Sequence, residues 1–184
     1  IDFARFYSLS AENIDKDSSA LGVVVVAPPW NFPYAIPMGG IASALVSGNS
    51  VIFKPAPETV LVAWELVNQL WAAGVPKSVL HFLPTEDNEI GKYLITHKDV
   101  DTIVLTGSYE TALLFKKWKP TLRLLAETSG KNSIIVTASA DIDTAVKDII
   151  DSAFGHAGQK CSATSLAIVE ESIYNNPTFF KQLK

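Results

Sequence analysis

Cysteine is almost absent from this sequence, because Cys161 is the only one among 184 residues. One cysteine cannot form an internal disulfide or the cysteine cluster of a structural zinc site. The three histidines, His81, His97 and His156, are scattered and lack the spacing of a zinc-binding helix. The sequence therefore predicts no metal site, and it favours a reducing, cytoplasmic setting.

Long apolar runs and a surplus of positive charge are also missing. No apolar run reaches the roughly eighteen residues that cross a bilayer, and the N-terminus lacks the order of a signal peptide. The net charge is -4 and the pI is about 5.3, which disfavours nucleic-acid binding. We therefore expect neither a membrane span nor a nucleic-acid partner. Since the only methionine is Met38 and the sequence stops within a helical pattern, we also expect a piece of a longer protein.

Short apolar runs alternate with helical patterns as far as residue 130. Such alternation is typical of an α/β fold with a mostly parallel sheet and helices on both faces. Ahead of this region, the spacing of Phe3, Phe6 and Tyr7 predicts a helix within residues 1–14 that contributes these rings to the core. The predicted strands are 21–27, 50–54, 79–83, 102–106 and 122–127, and the predicted helices are 36–46, 61–73, 88–97 and 109–118.

The composition changes after residue 137. Strands are predicted at 133–137 and 165–172, and a helix between them begins near Asp141 or Asp143 and reaches Phe154. Another helix is expected to begin at Asn176. This part reads as the start of a second α/β domain.

Ligands of parallel α/β sheets bind beyond the carboxyl ends of the strands. That rule points to the loops at 28–33, 54–59, 84–87 and 106–109. The sequence contains neither GxGxxG nor GxxxxGK[ST]. The common phosphate-loop fingerprints therefore do not identify the ligand.

Two polar residues at the ends of predicted strands are candidates for acyl-transfer chemistry. Asn31, in PWNFP, carries an amide that can donate to a developing oxyanion, although an asparagine also supports a proline-rich turn. Glu127 follows the apolar LRLLA, and we expect partial burial to make it a useful base. An ordinary exposed glutamate is the alternative.

Two further positions are candidates for holding a ligand. Lys54, at the end of a strand in KPAPET, could reach a ribose or a phosphate, although most lysines are simply solvated. Gly107 and Ser108 precede a helix, whose N-terminal amides can hold a phosphate oxygen. An ordinary N-cap explains Ser108 equally well.

A lone cysteine is most often a small buried hydrophobe. Cys161, however, lies among small residues in FGHAGQKCSATS, at 154–165. With Glu127 as a base it would support a two-step covalent mechanism, in which a thiolate attacks and a thioester is then hydrolysed. A cysteine hydrolase would instead need His156 as its base, and that residue fits a helix end better.

Five motifs carry a resemblance to a known family. PWNFP, KPAPET, LTGS, AETSGKN and GQKCSA, in this order, closely resemble the aldehyde dehydrogenase superfamily over residues 20–170. Lys160 before the cysteine, together with AETSGKN, is most similar to the branch that oxidises L-glutamate γ-semialdehyde, the 1-pyrroline-5-carboxylate dehydrogenases. That branch includes the dehydrogenase part of bifunctional proline-utilisation proteins.

The resemblance implies a fold, a cofactor and a role for each site residue. It implies a Rossmann-like NAD(P)-binding domain at 1–130, with an entry helix and loop at 1–20, and the N-terminal part of a catalytic domain at 131–184. Cys161 would attack the aldehyde, Asn31 and the N–H of Cys161 would hold the oxyanion, and Glu127 would activate water. NAD, with NADP as the alternative, would contact Trp30, Lys54, Pro55, Glu58, Gly107 and Ser108.

The sequence also departs from the family's pattern. Pro57 stands where an acidic ribose ligand is usual, and Glu58 is displaced by one, which leaves the choice between NAD and NADP open. Ala112 replaces a glycine, and Thr85–Asp87 replace a glycine-rich turn near the pyrophosphate. A decayed or truncated nucleotide-binding or interaction module is therefore the alternative function.

The resemblance extends to partners. It implies a small-molecule aldehyde as the substrate. It is also compatible with a parent protein that is fused to a proline dehydrogenase and that assembles as a homo-oligomer. The 184 residues alone are expected to be a poor catalyst, because the family's chains continue well beyond the nucleophile.

Overall fold

The computed structural model describes residues 1–86 and 88–184, which form two compact units, Ile1–Thr128 and Ser129–Lys184. The division falls two residues before the boundary expected from the sequence. The helices are α1 Asp2–Ala11, α2 Ala35–Val46, α3 Val60–Ala72, α4 Glu89–Thr96, α5 Tyr109–Trp118, α6 Ile142–Phe154, α7 Glu171–Tyr174 and α8 Pro177–Leu183. The strands are β1 Val23–Ala27, β2 Ser50–Phe53, β3 Leu80–Phe82, β4 Thr102–Thr106, β5 Arg123–Glu127, β6 Asn132–Val136 and β7 Thr164–Val169.

The first unit is built on a five-stranded sheet with the order β3-β2-β1-β4-β5. Every neighbouring pair in it is parallel, so the strands end at the same edge. Each of the five strands coincides with an apolar run of the sequence. The α/β fold with a mostly parallel sheet is therefore confirmed.

Strand β1 lies in the middle of this sheet and separates two hydrophobic cores. Val24 and Val26 pack with α2 and α3 on one face, whereas Val25 and Ala27 pack with α4 and α5 on the other. Both faces are buried, because alternate residues of a strand point to opposite sides. Burial on both faces thus explains why the run of valines is continuous. Helices cover both faces of the sheet, as expected.

Helix α2 approaches β1 closely because its inner face carries glycine. A Cβ atom on Gly40 would lie 2.9 Å from Cγ1 of Val26, so a side chain there would force the two elements apart. On the adjacent position, a Cβ on Gly39 would lie 3.6 Å from the Phe3 ring, an ordinary contact. The small residues of this helix therefore set its distance from the sheet.

Asn49 joins the end of α2 to the start of β1. Its buried side chain accepts hydrogen bonds from the N–H groups of Leu21, at 2.7 Å, and Gly22, at 3.0 Å. Its Nδ2 donates to the carbonyl of Ala44 at 3.0 Å. Sequence patterns marked Ser47–Asn49 only as a helix end, because such long-range partners leave no local signal.

The second unit contains the parallel pair β6 and β7 joined by α6. Asp141 is the N-cap of α6, and its side chain accepts from the N–H of Thr144 at 2.8 Å. This hydrogen bond lowers the pKa of Asp141. Helix α8 begins after Asn176, which caps it as predicted.

Two expectations about these elements are wrong. Helix α1 has no buried residue, and Phe3 and Phe6 are exposed, so its rings do not join the core. The last strand ends at Val169, and Glu171 begins α7 rather than extending the strand to residue 172. Both errors arise because helical spacing and apolar runs do not specify which surface covers a residue.

Within residues 1–86 and 88–184, no helix is both long and apolar enough to cross a membrane. The same residues contain no group of three or more His, Cys, Asp or Glu side chains placed to hold a metal ion.

The two glycines of α2 give a matched test of the packing. We expect Gly40→Ala to be less stable than Gly39→Ala by about 1 to 3 kcal/mol, the usual cost of overpacking a core. Alanine favours a helix equally at both positions, so the difference isolates the contact with Val26. Urea unfolding of the two variants measures it, and equal midpoints would contradict the close approach.

Candidate active site

The loops that carry the candidate residues of the first unit lie at one edge of the five-stranded sheet, where its strands end. From β1 the chain moves outward to β2 and β3, then returns to the other side of β1 as β4. The order therefore reverses between β1 and β4, and ligands of open α/β sheets bind beside such a point. The loops at 28–34 and 107–108 follow these two strands directly.

Trp30 and Asn31 lie in the loop that joins β1 to α2. Trp30 is 47% exposed, which leaves a large aromatic face open, and Asn31 is half-buried. Pro28 and Pro29 stop the strand and fix the backbone before these residues. The structure thus places both at the switch point of the sheet.

Lys54 follows β2 and is an unusual lysine, since only 6% of it is exposed. Its N–H donates to the carbonyl of Val26 at 3.0 Å, which continues the ladder between β2 and β1 by one residue. Pro55 is also buried, whereas Pro57 and Glu58 are exposed in a short 3-10 turn, Pro57–Thr59. Lys54 is therefore a buried side chain where β2 ends rather than a solvated surface lysine.

Gly107 and Ser108 link β4 to α5. The Ser108 side chain accepts from the N–H of Thr111 at 3.0 Å, so Ser108 is an N-cap. A Cβ on Gly107 would meet only Cδ1 of Leu105, at 3.6 Å. Packing therefore does not require a glycine here. Ala112, which stands where the family's pattern has a glycine, belongs to α5 and is buried in the core.

Glu127 ends β5, beside the loop after β4. The N–H of Gly107 donates to its carbonyl at 3.1 Å, which joins the two main chains. The expected partial burial is wrong for this chain, because Glu127 is exposed. The reason is its position, since β5 is an edge strand with four of its five residues exposed.

Thr85 and Glu86 belong to the loop after β3, and the main chain of Glu86 lies against Gly91 of α4. Asp87, the third residue of the expected pyrophosphate turn, lies outside the described residues.

Cys161 is exposed in the second unit. It occupies the second position of a turn in which the N–H of Ala163 donates to the carbonyl of Lys160 at 3.1 Å. The buried-hydrophobe interpretation is therefore wrong, and an exposed thiol remains available for reaction.

The loop before Cys161 has a strained backbone. After α6, His156 and Ala157 adopt positive φ values of 54° and 55°, and Gly158 follows at 71°. A left-handed conformation costs a residue with a side chain roughly 1 to 2 kcal/mol. His156 thus helps to reverse the direction of the chain just beyond the helix end.

Asn132 is a residue that sequence reasoning did not single out. It begins β6, and its Nδ2 donates to the carbonyls of Cys161, at 2.6 Å, and Ala163, at 3.2 Å. It is the last residue of AETSGKN, and nothing in the sequence links it to the cysteine turn.

Comparison with known proteins agrees with the motifs. A family model described as the aldehyde dehydrogenase family matches residues 8–184. The 1-pyrroline-5-carboxylate dehydrogenase of Oceanobacillus iheyensis is 41% identical over 95% of this chain and 38% of its own length. That of Staphylococcus aureus strain JH1 is 38% identical with the same coverage. The chain therefore spans about 38% of the length of these curated relatives.

Solved structures give the same family. Proline utilization A from Corynebacterium freiburgense is 46% identical, with a TM-score of 0.91 over 99% of this chain and 19% of that chain. A variant of the 1-pyrroline-5-carboxylate dehydrogenase of Thermus thermophilus is 34% identical, with a TM-score of 0.91 over 99% of this chain and 39% of that chain. With the family model matched over nearly all of its length, the chain belongs to the aldehyde dehydrogenase family.

Proposed function

We propose that the complete protein carrying this chain oxidises L-glutamate γ-semialdehyde to L-glutamate with NAD. The observation that carries the chemistry is the exposed thiol of Cys161 on a hydrogen-bonded turn. The choice of aldehyde is supported by the identity of 38% to 41% with 1-pyrroline-5-carboxylate dehydrogenases, which are named for the cyclic form of this semialdehyde. The likeness to proline utilization A chains supports fusion to a proline dehydrogenase.

The sheet edge of the first unit fits a dinucleotide. Packing would accept a side chain at the position of Gly107, at the end of β4. The glycine instead leaves the backbone uncovered there, which suits the close approach of a ligand. Ser108 opens the ten-residue helix α5, whose N-terminus favours an anion. Lys54, which follows β2, adds a buried lysine at the same end of the sheet. Trp30 offers an exposed ring, and the bound dinucleotide would supply the hydride acceptor.

The chain's own residues account for the covalent steps. The Cys161 thiolate forms a C–S bond with the aldehyde carbon, and the carbonyl oxygen becomes an oxyanion. The Asn31 amide and the N–H of Cys161 donate hydrogen bonds to that oxyanion. Loss of hydride from the same carbon gives a thioester on Cys161. Glu127 then takes a proton from water, the hydroxide attacks the thioester, and the thiolate leaves as the carboxylate forms.

The exposed position of Glu127 in this chain is compatible with that role. A base that activates water needs access to it, and Glu127 is exposed at the end of β5. The Pro57–Thr59 turn leaves Glu58 exposed near the end of β2, as an acceptor for a ribose hydroxyl. NAD has a free hydroxyl at that ribose, whereas NADP carries a phosphate that the Glu58 carboxylate would repel. Glu58 therefore favours NAD over NADP.

Two substitutions separate the covalent steps. We expect Cys161→Ala to abolish NADH formation, because no C–S bond can form. Glu127→Gln should retain the first turnover of NADH but lose steady-state turnover by about 100-fold or more, because thioester hydrolysis lacks its base. Rapid-mixing absorbance at saturating semialdehyde measures both phases. Full turnover by Cys161→Ala would discard the assignment, and an inert wild type that still binds NAD would favour a decayed binding module.

The cofactor site can be tested without the reaction. We expect Gly107→Ala to weaken NAD binding about tenfold, which corresponds to roughly 1.4 kcal/mol, because the new methyl group occupies the approach to the backbone. Gly39→Ala is the control, since its Cβ would meet a neighbour at the same 3.6 Å. Calorimetric titration with NAD and then NADP gives the dissociation constants. Unchanged NAD binding in Gly107→Ala would contradict this placement of the dinucleotide.

A further inference from the structure

The turn that carries Cys161 is held from two sides. On one side, the carbonyl of Lys160 accepts the N–H of Ala163 at 3.1 Å. On the other side, the side chain of Asn132 reaches the carbonyl of Cys161 at 2.6 Å. These contacts involve the two peptide groups that flank the Cys161 Cα atom.

Fixing both peptide groups fixes the direction of the cysteine. A trans peptide is planar, and its N–H points opposite to its carbonyl. When the Lys160 carbonyl is held, the N–H of Cys161 is therefore held as well. When the Cys161 carbonyl is also held, both backbone angles at Cys161 are set, and they determine where its Cβ and Sγ can lie.

The polarity of the contact identifies the donor. Both partners of Asn132 on the turn, the carbonyls of Cys161 and Ala163, are acceptors, so only the NH₂ group of the amide can serve them. A carboxylate of the same shape would repel both oxygens. An asparagine is required here, rather than any polar residue of similar size.

Asn132 can hold the turn in place because it belongs to a regular element, strand β6. It pairs with Thr164 of β7, and a bulge follows at once, leaving Ser165 as the extra residue. Thr164 in turn shares a 2.8 Å hydrogen bond with Ser152 of α6. A bulge next to a functional loop often serves to aim a side chain, and this one directs the Asn132 side chain across the cysteine turn.

We propose that Asn132 is a positioning residue that holds the thiol and the N–H of Cys161 in the orientation needed for attack and for oxyanion binding. This inference rests on the proposed function. Asn132 contacts neither substrate nor cofactor in this account and acts through the Cys161 backbone. A misplacement of about 1 Å at a reacting group can cost about 100-fold in rate, which sets the scale of the expected effect.

The decisive variant is Asn132→Asp, which keeps the shape and removes the donor, with Asn132→Ala as a second variant that adds no charge. In the complete protein we expect both to lower kcat/KM for the semialdehyde by about 10- to 100-fold. The NAD dissociation constant should stay within about twofold, because the cofactor residues belong to the first unit. A purely structural role would instead lower the fraction of folded protein and leave the activity of the folded fraction intact.

Ser165→Ala is the matched control. It removes the 3.3 Å hydrogen bond from Ser165 Oγ to the Asn132 carbonyl but keeps the Asn132 side chain on the turn. We expect its kcat/KM to stay within about twofold of wild type. An equal loss in Ser165→Ala and Asn132→Asp would overturn the proposal, as would near-wild-type kcat/KM in Asn132→Asp.

A second readout does not depend on the reaction. Hydrogen exchange followed by mass spectrometry should show faster exchange in the peptide covering 155–165 of Asn132→Asp, with α6 unchanged, since the turn is released while the helix stays folded. Unchanged exchange in that peptide would overturn the proposal. If wild type fails to oxidise the semialdehyde, the proposed function fails, and this exchange measurement still decides whether Asn132 holds the turn.

Discussion

Burial of strand β1 on both faces is the constraint on which the first unit depends. Its four buried residues, Val24–Ala27, alternate between the two cores, so each face of the sheet needs its own layer of helices. The crossover helices then force the neighbouring strands to run parallel. Parallel strands bring their carboxyl ends together, and the candidate residues of the first unit sit at that common edge.

The same constraint explains why the site residues are scattered in the sequence. Asn31, Lys54 and Gly107 each follow a different strand and Glu127 ends another, and the order of the sheet places those strands side by side. Cys161 lies in the second unit, which also contains α6 and the β6–β7 pair.

The elements with strong periodic signals could be predicted from the sequence. The valine run of β1 and the small residues of α2 marked a buried strand and a closely packed helix, and the structure has both. The role proposed for Cys161 rests on motif resemblance, not on periodicity. The exposure of Glu127 could not be foreseen, because it depends on β5 being the edge strand. The anchoring of Cys161 by Asn132 was also invisible, since it joins residues far apart in sequence through a bulge and a turn.

The backbone before Cys161 is strained, whereas the turn that contains Cys161 is held by hydrogen bonds. His156 and Ala157 adopt left-handed conformations that side chains disfavour, and hydrogen bonds hold the turn that follows. A loop under strain keeps one conformation only when its surroundings determine it. The N–H of Gln159 donates to the carbonyl of His156 at 3.0 Å, and the Asn132 side chain holds the carbonyl of Cys161 in the turn that follows.

The central claim, that Cys161 forms a covalent acyl intermediate, can be tested most directly by trapping that intermediate. Glu127→Gln in the complete protein would be mixed with NAD and the semialdehyde, quenched in acid and digested for mass spectrometry. The account predicts a glutamyl group, joined through a thioester, on the peptide that contains Cys161, and no such group when NAD is omitted. An unmodified Cys161 peptide after NADH has formed would contradict it.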